Sequence, residues 1–89
     1  MSVVLVQLKT TDYAAWKNVF EGTAAMREAA GLTNTRILRS ADDPNEVFVR
    51  SDTNDLAKAK QFLTSPEVRT MMEKSGLVGP PAIHFLNPV

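Results

Sequence analysis

The stretch Val3-Val4-Leu5-Val6-Gln7-Leu8-Lys9 decides the fold. Read as a strand, it puts Val4, Val6 and Leu8 on one face and Val3 and Leu5 on the other, with Gln7 and Lys9 interrupting only the second. A strand apolar on both sides is covered on both sides, so this one belongs in the middle of a sheet. Asp12 then stands where a helix cap is needed. Tyr13, Trp16, Phe20, Ala24 and Arg27 follow at helical spacing, with Val19, Thr23, Met26 and Ala30 widening the stripe. One helix running to Gly31, a residue suited to the position past a C-terminus, is expected.

Two shorter strands come next, Thr35 to Ser40 and Glu46 to Asp52. The intervening Ala41-Asp42-Asp43-Pro44-Asn45 is dense in turn formers, which predicts an antiparallel hairpin. A helix starting near Asn54 or Asp55 carries Leu56, Ala59, Phe62 and Leu63. Ser65-Pro66-Glu67 resets it, with a cap, a proline at the first helical position and an acid at the positive end. Val68, Met71 and Met72 continue the stripe until Gly76. After Gly79-Pro80-Pro81, a last strand sets Ile83 and Phe85 opposite Ala82, His84 and Leu86.

The order β-α-β-β-α-α-β is that of an α+β, ferredoxin-like split βαβ domain with an antiparallel sheet, and residues 1–89 make one such domain. Helices in this architecture cover one sheet face. Because the first and last strands are apolar on both faces, the other face calls for a second copy of the chain, and a homodimer is expected. Folding alone leaves a domain of this mass roughly 5,200 Å² of surface, a large share for so short a chain.

Composition excludes several kinds of function. There is no cysteine, so disulfides, thiolate metal sites and cysteine nucleophiles are out. Ten basic residues balance ten acidic ones, which gives no general attraction to nucleic acid or to an anionic membrane. The longest aliphatic run, Val3 to Val6, is far too short to span a bilayer and lacks the basic flank of a signal peptide. A cytoplasmic location, no nucleic-acid partner and no membrane partner are expected. No glycine-rich phosphate loop or clustered metal-ligand spacing occurs, and no cofactor or metal is expected.

Six side chains are candidates for a site. His84, the single histidine, alternates with Ala82 and Leu86 and is expected in apolar surroundings, where it could exchange a proton near neutral pH or be satisfied by one carbonyl. Arg27 falls inside the apolar arc of the first helix. It must snorkel, pair with a carboxylate, or face a cavity holding an anionic ligand. Tyr13 and Trp16 could stack on a planar ligand or simply fill the core. Gln7 and Arg50 could add polar groups from the sheet. A ligand site follows if all six converge.

Asp12-Tyr13-Ala14-Ala15-Trp16-Lys17-Asn18-Val19-Phe20, Asp43-Pro44-Asn45-Glu46-Val47, Ala59 through Glu67, Met71 through Leu77 and Gly79-Pro80-Pro81 resemble small members of the dimeric α+β barrel superfamily, in its antibiotic biosynthesis monooxygenase-like branch. The resemblance spans nearly the whole chain. It implies two ferredoxin-like subunits with facing sheets, helices outside and a pocket in each subunit. It also implies a cofactor-independent monooxygenase or cyclase-like enzyme acting on a planar hydrophobic or phenolic molecule. His84 would be its base, Arg27 or Arg50 would stabilise the anion, and Tyr13, Trp16 and Gln7 would shape the pocket. Gln7, Trp16 and His84 depart from the asparagine, tryptophan and histidine of haem-degrading members, so haem is not implied. A non-catalytic binding protein and a structural dimer without a pocket are the alternatives.

Overall fold

Antiparallel pairing of the first strand along both of its edges organises the molecule. A computed structural model describes residues 1–89. Strand β1 (Ser2–Lys9) lies between β3 (Glu46–Thr53) and β4 (Ala82–Leu86), and β2 (Thr33–Arg39) extends the sheet beyond β3, giving the order β2-β3-β1-β4. Helices α1 (Tyr13–Gly22), α2 (Ala24–Ala29), α3 (Leu56–Leu63) and α4 (Pro66–Lys74) complete the chain. Their apolar stripes meet one face of the sheet: Trp16 and Ala59 join Val4, Val6, Leu8, Val47 and Val49 in a single buried cluster. The central position expected of the first strand is borne out. No helix is long and apolar enough to cross a membrane.

The caps follow the side-chain chemistry. Asp12 accepts from the Ala14 and Ala15 amides, Asp55 from Lys58 and Ser65 from Val68, and Pro66 occupies the first turn of α4. In the hairpin loop, the Ser40 hydroxyl accepts from the amides of Asp42 and Asp43. The Asn45 amide, with Lys9 3.2 Å away, holds the Asp43 carboxyl below the usual carboxylate range.

The first helix differs from the expectation. The stripe from Tyr13 to Ala30 is broken after Gly22, and Thr23 (φ −108°, ψ 13°) separates α1 from α2. Glycine adds backbone freedom, and threonine competes for the helix ladder. The Phe20 carbonyl here accepts from the Thr23 amide at 3.2 Å, the Thr23 hydroxyl at 2.9 Å and Arg27 Nη1 at 2.7 Å. Strand β2 also starts two residues earlier than expected, with a bulge between Thr33 and Arg36 that places Asn34 at φ +50°.

Gly76 ends α4 at φ +83°, and a β-carbon there would lie 3.0 Å from Thr11 Oγ1. Gly76→Ala is therefore expected to destabilise the chain by about 1–2 kcal/mol, seen as a lower urea midpoint with unchanged slope.

Candidate functional site

An apolar cleft opens between the helices and the sheet. It has a volume of about 90 Å³, and thirteen of its seventeen lining residues are hydrophobic. Val4, Val6 and Val49 form its floor, Trp16, Val19 and Phe20 one wall, and Phe62, Leu63, Met71 and Met72 the other. The volume is below the ~150 Å³ of an engineered protein cavity that encloses benzene, so a single ring fits with part of it at the open mouth. The lining residues come from β1, β3 and all four helices, with Thr23, Leu32 and Ser75 at or beyond helix ends. Their convergence follows from the packing of α1, α3 and α4 on one sheet face.

Aromatic packing stiffens the first wall. Trp16 is only 4% exposed, its ring lies 5.0 Å from that of Phe20 in a stacked arrangement, and Tyr13 tilts against it at 5.8 Å. The Arg39 guanidinium lies over the Tyr13 ring, 3.9 Å from its centroid. Tyr13 thus supports the wall and does not itself line the cleft.

Four polar side chains line the cleft: Thr23, Arg27, Ser51 and Ser75. The three hydroxyls are engaged, Thr23 with the Phe20 carbonyl, Ser75 with the Met72 carbonyl at 2.6 Å and Ser51 with the Thr35 hydroxyl at 2.9 Å. Arg27 donates from Nη1 to the Phe20 carbonyl and to Thr23 Oγ1 at 2.8 Å, and its guanidinium lies 3.6 Å over the Phe20 ring. It has no ion pair. Burial pushes its pKa down, and neighbouring Glu28 partly opposes this. Of the three environments open to Arg27, the structure has it bound to a backbone carbonyl at the helix break and lining a cavity. No histidine or carboxylate is among the lining residues.

Gln7, Arg50 and His84 lie on the opposite face of the sheet. Register places Leu5 between Arg50 of β3 and His84 of β4, with Arg36 of β2 beside Arg50. The next row on that face is Leu38, Phe48, Gln7 and Ala82, and the row on the other side holds Asp52, Val3 and Leu86. Arg50 pairs with Asp52 at 3.4 Å, and Gln7 donates to Glu46 at 2.8 Å. Leu38 and Leu86 are 52% and 44% exposed, so an apolar band crosses a face that no helix covers. The surface of the chain, 5565 Å², exceeds the roughly 5,200 Å² typical of this mass, as an uncovered sheet face would make it.

The six candidates therefore do not meet within one chain. Trp16 and Arg27 share the cleft, Tyr13 backs it, and the sheet separates all three from Gln7, Arg50 and His84. His84 is exposed in the single subunit, not enclosed by apolar neighbours as expected, because strand alternation turns it onto the uncovered face. Sequence reading missed Thr23 as the anchor of Arg27, and Met71, Met72 and Ser75 as lining groups. It also missed Arg36, although alternation along Arg36-Ile37-Leu38 would have placed it beside Leu38 on the bare face.

Solved structures share this fold over nearly the whole chain. A candidate antibiotic biosynthesis monooxygenase from Bordetella bronchiseptica superposes with a TM-score of 0.82 at 14% identity, covering 99% of this chain and 96% of that one. Another from Caulobacter crescentus CB15 gives 0.75 at 20% identity, covering 99% and 89%. SnoaB, a cofactor-independent oxygenase from Streptomyces nogalater, gives 0.72 at 17% identity, covering 98% and 92%. No family profile and no curated protein matches the sequence. At these identities the likeness is one of fold, and the resemblance read from the sequence holds at that level.

Proposed function

We propose, from the fold shared with antibiotic biosynthesis monooxygenases and from the cleft, that this chain binds a planar hydrophobic molecule between helices and sheet and oxygenates it without a cofactor. The cleft carries the reading: a largely apolar space with one wall of stacked Trp16 and Phe20 suits a ring and sheds water from the part it buries. SnoaB, of the same fold, is a cofactor-independent oxygenase. Without a cofactor the electrons come from the ligand. A ring methylene becomes a carbonyl, and the second oxygen atom of O₂ leaves as water with the two hydrogens. On this reading the protein works as a cytoplasmic homodimer, supported by the apolar band of Val3, Leu5, Leu38, Phe48 and Leu86 on the uncovered face.

The bare face supports a second placement of the chemistry. In such a dimer Gln7, Arg50 and His84 would lie between the two sheets, with His84 as base, Arg50 stabilising the anion and Gln7 holding the substrate. His84→Ala separates the two. Turnover reduced less than about threefold places the reaction in the cleft. A loss above about a hundredfold with the dimer intact places it between the sheets. The missing base in the cleft also favours a binding protein without turnover as the alternative.

Trp16, the single tryptophan, lines the cleft and reports on it. Titrating a panel of electron-rich hydroxyaromatics that carry a ring methylene is expected to change its emission saturably and to consume oxygen with no added flavin, haem or metal. Saturable binding without oxygen uptake establishes the binding protein. No emission change across the panel contradicts a ligand in the cleft.

A further inference from the structure

Arg27 is held in a way that leaves one edge of its guanidinium open. Both of its hydrogen bonds leave from Nη1, and Nε and Nη2 have no protein acceptor. The Phe20 ring beneath the guanidinium and the two bonds from Nη1 fix its plane, so the Nε–Nη2 edge is pre-organised. That edge offers two parallel N–H groups, the arrangement that matches the two oxygens of a carboxylate; a phenolate or alkoxide, with a single oxygen, uses it less well. Arg27 also stands at a junction. It lines both the apolar cleft and an outer groove of about 490 Å³ formed with Ala24, Glu28, Thr33, Asn34 and Thr35, whose far wall is the bulge at Asn34. A ligand with its ring in the cleft would thus carry its polar end past Arg27 toward water.

We infer that the cleft selects planar apolar molecules bearing one carboxylate, with Arg27 as the residue that determines this preference. The inference rests on the cleft being the ligand site. The three lining hydroxyls are already bonded within the chain, and the one acidic side chain at this junction, Glu28, lines the outer groove and not the cleft. Burial that disfavours the lone guanidinium charge is relieved when an anion arrives, which adds to the preference.

The test uses calorimetry with three single-ring probes: 4-ethylbenzoate, its neutral isostere 4-ethylbenzamide, and the smaller 4-ethylphenol. The wild-type chain is expected to bind the benzoate about tenfold more tightly than the amide, with the advantage shrinking as salt is raised. Arg27→Met is expected to abolish that advantage, the benzoate losing far more affinity than the amide, and Arg27→Lys to keep only part of it. Equal binding of benzoate and amide by the wild type overturns the inference and leaves the cleft as a site. So does preference for the phenol, or an advantage that survives in Arg27→Met. Failure of all three probes removes the cleft reading itself. The wild-type comparison decides even if Arg27→Met does not fold.

Discussion

Trp16→Ala is expected to cost the chain about 3–5 kcal/mol, the range for deleting a buried aromatic. Domains of this length hold roughly 4–13 kcal/mol of total stability, so the variant is largely unfolded if the wild type lies at the low end. The cost should fall in the upper part of its range. Trp16 lines the cleft, and the void left by its removal would merge with a space that is already open, so the surroundings cannot collapse to fill it. Its stacked contact with Phe20 and tilted contact with Tyr13 are lost as well. Urea unfolding followed by circular dichroism measures this. A loss below about 1.5 kcal/mol would mean that the helices close over the gap and that the cleft is not a fixed feature.

The double variant Leu38→Asp with Leu86→Asp is expected to separate association from folding. Both leucines are about half exposed and touch the uncovered face only, so the single subunit should lose less than about 1 kcal/mol. In a homodimer packed sheet to sheet, each copy would instead bury two unpaired carboxylates. Association should weaken at least about a hundredfold, read by sedimentation across a concentration series. A wild type that sediments as a dimer, with a variant that dimerises equally well, would place the interface elsewhere. Existing charges on that face limit the register of any pairing: Arg36 and Arg50 stand side by side, and only Arg50 has its own partner, Asp52.

Most of the fold was legible in the sequence because its signals were local and redundant. The first strand announced its central place through residues apolar on both faces, and the structure pairs it on both edges. Asp12, Asp55 and Ser65 cap where their positions before apolar stripes predicted. Alternation along β3 sets Phe48 and Arg50 opposite Val47 and Val49, and the two valines are buried. The break at Thr23 was not legible, because an unbroken apolar stripe outweighed one glycine and one threonine. It takes a long-range view to see that Arg27 reaches back seven residues to the Phe20 carbonyl.

The site was legible only in halves. Trp16 and Arg27 both line the cleft although the helix breaks between them. His84, Arg50 and Gln7 also belong together, on adjacent strands of one face, and alternation reports that. What spacing cannot report is which face of the sheet the helices cover. Gln7 and Leu8 are neighbours in sequence, yet Leu8 faces the helices and Gln7 the bare side. A one-residue difference in strand phase decides whether a polar group can reach the cleft at all.

Methyl-resolved nuclear magnetic resonance with a single-ring aromatic ligand tests the location of the site most directly. Ligand-to-protein cross-relaxation is expected at Val6, Val49, Met71 and Met72, which line the cleft, and to be absent at Val3, Leu5, Leu38 and Leu86 on the other side of the sheet. Signals confined to the second set would contradict the account and move the binding site to the uncovered face.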